Sequence, residues 1–143
     1  MTPVEETLAD LWATGTYTIH PVAHARAALT ARGVLSAGDV RSADDGAVGV
    51  VAGLVTHRQR PPTAGGVVFM TLEDETGMVN VVCPPKVWER HKRMATAAPA
   101  LIIQGRIERS GATADGQGGA VNLIASVLRP LKIAATVPSR DFR

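Results

Sequence analysis

Cysteine is almost missing from this chain: Cys83 is the only one among 143 residues. No intrachain disulfide can form, which fits a reducing compartment. Histidine is scarce as well, with four in all and no Cys/His cluster, so a structural zinc site is not expected. Aromatic residues make up 3% of the chain against 45% hydrophobic residues in total. The core must therefore come from Val, Leu, Ile, Ala and Met. No apolar run is long enough to span a bilayer. The first residues, MTPVEETLAD, are acidic and lack the basic-then-apolar layout of a secretion signal. These absences make a soluble, cytoplasmic protein the default expectation, with no membrane partner and no cofactor. The length suits one domain with an appendage and is too short for a multi-domain polymerase.

Charge is unevenly spread. The total is +2, but residues 1–47 carry a net −3, residues 48–130 a net +3 and residues 131–143 a net +2. The basic excess follows the first third of the chain. Residues 3–13 and 22–32 have helical spacing of apolar positions, and Gly15 and Gly33 end those runs. Ser36, with Asp39 three residues on, has the pattern of a capping box. This lead-in has few large apolar residues, so it is expected to pack on the following domain or on something outside the chain. The stretch RSADDGA at 41–47 is polar and turn-rich. We divide the chain into a helical lead-in at 1–46, a β-rich domain at 47–130 and a tail at 131–143.

From Val48 onward the pattern changes to short β-runs. Strands are expected at about 48–57, 67–74, 78–83, 100–109 and 120–128, with a helix over 86–97 behind Pro84-Pro85. In the second run Val68, Met70 and Leu72 share one face, and Val67, Phe69 and Thr71 the other. In the third, Val79, Val81 and Cys83 oppose Met78, Asn80 and Val82. Gly53 and Gly105 sit inside strands, where a bulge or sharp coil is expected. Five short strands with a helix between the third and fourth match a mainly β, five-stranded OB-fold Greek-key barrel.

Several stretches resemble one family: VAGLVTHRQRP, GGVVFMTLEDETGMVNVVC, APALIIQGRIER, VNLIA and SRDF. Together with the lead-in, HP at 20–21 and ARGVLSAGDV, they resemble the C-terminal region of bacterial error-prone DNA polymerases. These are the C-family alpha subunits of the damage-induced mutasome. GGVVFMTLEDETGMVNVV is more distantly similar to the anticodon-binding OB domains of class II aminoacyl-tRNA synthetases. The resemblance implies a part in DNA repair and replication across lesions, that is, translesion synthesis. It also implies that this chain is a C-terminal fragment, a truncated gene product or an excised domain, because nothing in it corresponds to the palm that carries polymerase chemistry. By itself the chain is expected to bind rather than to catalyse.

The expected ligand is single-stranded DNA. OB domains bind nucleic acid with their second and third strands and the loops after the first and fourth. Phe69, on the outer face of strand two, is the expected base-stacking platform, and in the synthetase-like domains the matching Phe stacks on a base. The alternative is that Phe69 packs under a loop or the lead-in. Asn80 has outward parity beside it. His57, Arg58, Gln59 and Arg60 enter the loop after strand one, where Arg58 and Arg60 are expected to pair with phosphates or stack. Arg106 and Arg109 near the end of strand four are weaker candidates. With these arginines, binding should fall steeply as salt rises. Two other partner classes stay open: mutasome proteins or the sliding clamp, with Ser139–Phe142 as a docking peptide, and tRNA. Glu73, Asp74 and Glu75 form a sequential acidic cluster with poor metal geometry, and Lys86, Arg90, Lys92 and Arg93 read as a solvated helix face.

Overall fold

Alternation decides which side of each strand enters the core, and burial follows it closely. The computed structural model of the chain describes residues 20–110 and 120–132. Among them are six strands: β1 (Val34–Leu35), β2 (Val48–Gln59), β3 (Val68–Asp74), β4 (Gly77–Cys83), β5 (Ala100–Ser110) and β6 (Ala120–Pro130). Helices α1 (Arg26–Ala31), α2 (Ala37–Arg41) and α3 (Pro85–Ala97) accompany them, and a 3-10 turn at Pro21–Ala25 precedes α1. The sheet order is β1-β2-β3-β4-β6-β5, and β2 also pairs with β5. That second pairing closes β2 to β6 into a five-stranded barrel. β4 and β6 run parallel, and the other barrel pairs are antiparallel. This is the expected OB fold, with α3 between its third and fourth strands.

The inward residues are those that alternation selects. Val68, Met70, Leu72, Val79, Val81 and Cys83 are buried, and they meet Leu101, Ile103, Ile107, Leu123, Ala125 and Leu128 from β5 and β6. Trp88 of α3 enters the same cluster, as does Ala95 two turns later. Each large aliphatic side chain so buried is worth about 1.5–3 kcal/mol. Aliphatic packing replaces the aromatics the chain lacks.

Both in-strand glycines are required, but not in the same way. Gly53 pairs regularly with Leu101, and the irregularity of β2 falls later, between Val55 and His57. A Cβ on Gly53 would lie 2.8 Å from the Glu73 carbonyl oxygen and 3.1 Å from its amide nitrogen. Gly53 thus allows close backbone approach where β2 leaves β5 for β3, and the expected bulge there is corrected to Thr56. Gly105 lies at a true register shift, where Ser126 is the extra residue of β6. Its missing side chain makes room for the Ile124 carbonyl.

The lead-in packs on the barrel. β1 adds to β2 in parallel, Val34 opposite Val50 and Leu35 opposite Val51. Val22, Leu29 and Val34 form a satellite core with Ala52, Leu54 and Ala100. The capping box is present: Asp39 N–H donates to Ser36 Oγ at 3.1 Å and Ser36 N–H to Asp39 Oδ2 at 3.0 Å. Gly33 ends α1 with φ +78, a left-handed value that suits glycine. The helix expected at 3–13 lies outside the described residues, as does the Ser139–Phe142 peptide.

Candidate nucleic-acid interface

The outer faces of the strands line up in two rows. Register places His57 beside Thr71, Thr71 beside Asn80, Asn80 beside Asn122, and Asn122 beside Glu108. The second row runs Gln59, Phe69, Val82, Ile124 and Arg106. The first row is polar, and the centre of the second is apolar. Between β2, β3, β4 and β6 they leave a groove of about 380 Å³. His57, Gln59, Phe69, Thr71, Asn80 and Asn122 form its sides, over a floor of Met70 and Val81.

Phe69 is 39% exposed, whereas its neighbours Val68 and Met70 are almost wholly buried. Among the described residues it is left partly open, beside amides and hydroxyls. That combination can stack on a planar base while hydrogen bonds reach its edge. His57, Gln59, Phe69 and Asn80, expected at the site from sequence, thus converge on one groove. Thr71 and Asn122 join them unforeseen. Thr71 shares the parity of Phe69, which is a sequence signal. Asn122 is a lone amide in the apolar run AVNLIASVL, and only the parallel β4–β6 pairing places it beside Asn80.

The arginines divide differently. Arg58 is 2% exposed. Its Nη2 donates to the carbonyls of Ala95 at 2.7 Å and Ala98 at 2.8 Å. Those carbonyls end α3, where no further turn supplies a donor and a cation is favoured. The expectation that Arg58 meets phosphate is corrected: β2 extends to Gln59, and the extra residue Thr56 inverts the alternation set by Val51 and Val55, so Arg58 turns inward opposite Met70. Arg109 is corrected as well. Its Nε donates to Ala43 O at 2.7 Å, its Nη2 to Arg41 O, and its main-chain N–H to Asp45 at 2.8 Å. It fastens β5 to the segment that leads into β2. Arg60 is exposed beside the groove and lies 3.6 Å from Glu89 of α3. Arg106 is exposed at the far end of the Phe69 row and bonds Glu108 at 3.2 Å. Among the described residues, the groove lining therefore contains no Lys or Arg.

The acidic cluster is structural. Asp74, 4% exposed, accepts from Arg26 Nη2 at 3.0 Å and from Ala37 N–H at 2.8 Å through Oδ2. Its Oδ1 accepts from the Thr76 amide and hydroxyl, both at 2.7 Å. Glu75 takes Arg26 in a fork, at 2.8 and 2.9 Å. That bond is the main cause holding the Glu75 carboxyl below its ordinary range and raising the Arg26 guanidinium. Glu73 reaches His20 at 3.1 Å. Every acid in the turn is thus engaged by the lead-in or by the turn itself. Burial pushes the Cys83 thiol up to about 11, which leaves it a protonated core residue at neutral pH.

Comparison with known proteins agrees with the fold. The pattern of one family, described as an OB-fold nucleic acid binding domain of the tRNA anti-codon type, matches residues 50–131. The whole chain is 46% identical over 144 residues to a protein of Mycobacterium tuberculosis named error-prone DNA polymerase. A protein of the same name from Anaeromyxobacter dehalogenans is 41% identical over 140 residues, covering 97% of the chain. The chain spans only about 12% of the length of these relatives. Among solved structures, asparaginyl-tRNA synthetase from Pyrococcus horikoshii, complexed with asparaginyl-adenylate, superposes with a TM-score of 0.54 at 22% identity. That match covers 73% of this chain and 23% of the synthetase, and it shows the fold alone.

Proposed function

The chain belongs to the family of OB-fold nucleic acid binding domains, and from that premise we propose that it binds single-stranded DNA through the groove centred on Phe69. In this proposal it is the template-holding, non-catalytic portion of an error-prone polymerase that copies past lesions, the activity suggested by the name of its relatives. The observation that carries the proposal is the half-exposed Phe69 beside the His57–Thr71–Asn80–Asn122 row. Stacking on Phe69 supplies affinity without sequence preference. The amides of Gln59, Asn80 and Asn122 offer donors and acceptors to base edges, and the imidazole of His57 closes one side.

The role of cations changes with Arg58 and Arg109 removed from the site. The groove holds bases and contributes little counterion release, so its own salt dependence is shallow rather than steep. The test is titration of a fluorescein-labelled oligothymidylate with the chain and with Phe69→Ala. We expect saturable binding that the substitution weakens by about 1–3 kcal/mol, roughly 5- to 150-fold, with an unchanged melting temperature. Equal affinity for the two proteins sinks the proposal. A parallel titration with tRNA separates the alternative ligand: tighter tRNA binding would replace single-stranded DNA as the ligand of this groove.

A further inference from the structure

A neutral groove leaves the phosphates of its ligand without counterions, and α3 carries exposed positive charge. Lys86, Arg90 and Arg93 are exposed and spaced i, i+4, i+7, so they form one stripe of about 10 Å along the helix. The opposite side of α3, with Trp88 and Ala95, is buried in the barrel core. Among the described residues no acid pairs with the stripe. The one acid of α3, Glu89, is held by Lys92 at 3.0 Å and by Arg60 at 3.6 Å. An ordinary solvated helix face interleaves its signs at ion-pair spacing. On α3 the one acid at that spacing, Glu89, three residues after Lys86 and four before Arg93, is taken by Lys92 and Arg60.

Its position relative to the groove is tightly bounded. Val82, the partner of Phe69, lies four residues before Lys86, so at most about 14 Å of chain separates them. Gly66, in the segment after β2, packs against Pro85 at the start of α3. Arg60 bridges from the end of β2, directly after groove residue Gln59, to the helix. A strand lying across Phe69 therefore meets Arg60 and then α3 on leaving the groove at this end.

We infer that the Lys86–Arg90–Arg93 stripe is the phosphate-holding half of the site, seating the sugar-phosphate backbone of the single strand that leaves the groove past Arg60. This inference rests on the groove reading above. It divides the work: β3 and β4 hold bases without regard to salt, and α3 holds backbone charge. Longer strands then bind more tightly and more salt-sensitively than short ones.

The test compares the parent chain with the triple variant Lys86→Gln, Arg90→Gln, Arg93→Gln. The probes are oligothymidylates of about five and about fifteen nucleotides, within and beyond the span of one barrel groove. For the parent and the long probe, the log–log slope of affinity against salt should be steeper than for the short probe by about 2, near 0.7 for each of three phosphates. The triple variant should lose that difference and bind the short probe as the parent does. Thermal melting of the variant checks its fold, and the exposed positions make glutamine a mild change. If the variant keeps the parent's long-probe slope and affinity, the stripe inference is overturned while the groove reading stands. If the parent binds neither probe, both are overturned together.

Discussion

The two ends of β3 carry polar and aromatic residues within a few positions of each other, yet they are put to opposite uses. At the far end, Asp74 and its neighbours Glu73 and Glu75 are engaged by Arg26, His20, Ala37 and Thr76. At the near end, Phe69 and Thr71 face an open groove with Asn80 and Asn122. One cluster has its hydrogen-bonding capacity used inside the protein, and the other presents it outward. Charge density alone would rank the acidic end first, although its side chains are already engaged. The same contrast separates Arg58 from Arg60, two residues apart on one strand end.

Removing Asp74 should have the largest effect. Asp74→Ala leaves Arg26 and three other donors without a buried acceptor, and should cost about 3–5 kcal/mol in urea unfolding. Affinity for single-stranded DNA of the folded fraction should not change. A loss of affinity at unchanged stability would break the contrast between the two ends. Arg58→Met comes next: loss of about 2–3 kcal/mol of stability, as the carbonyls that end α3 lose a charged donor. The salt slope of binding should stay at the parent value, whereas a drop of about 0.7 would return Arg58 to phosphate contact.

Asn122→Ala sharpens the comparison from the other side. It should weaken oligonucleotide binding by about 0.5–1.5 kcal/mol and leave unfolding midpoints in place. A double-mutant cycle with Asn80→Ala should show coupling, since register sets the two side by side. Additive effects would mean that they contact the ligand separately. The smallest effect concerns pH. The Glu75 carboxyl titrates below its ordinary 4.5 in the folded chain, chiefly through the Arg26 bond. The folded state then binds fewer protons than the unfolded state, so this contribution is complete above that ordinary value and is lost as pH falls through the lowered one. Partial exposure limits it to roughly 1 kcal/mol or less. Glu75→Gln should flatten the acid limb of the stability profile by that amount, and an unchanged limb would remove Glu75 from the staple.

Strand alternation made much of this molecule legible in advance. It correctly put Val68, Met70 and Leu72 inside and Phe69 outside, because a period of two has only two phases and the apolar set selects one. The Ser36–Asp39 box was legible because capping is local. Arg58 was misplaced for a related reason: the proline pair that follows suggested a loop, and a residue assigned to a loop has no phase. The ladder with β3 continues to Gln59, and the bulge at Thr56 inverts its phase, so position 58 points inward. Asn122 had no local signal, since its neighbour Asn80 is 42 positions away.

By itself, then, the amino-acid sequence determined the five barrel strands, the inward faces of β3 and β4, the aliphatic core and the candidacy of Phe69, all of which depend on neighbours within a few residues. Only the tertiary structure decided which polar side chains are already engaged. It consumed Arg58 at the end of α3, Arg109 on the carbonyls before β2 and Asp74 on the lead-in, and it brought Asn122 to Asn80 across a parallel pair. Those outcomes turn on which distant donors and acceptors meet when the barrel closes, and composition and spacing carry no record of that.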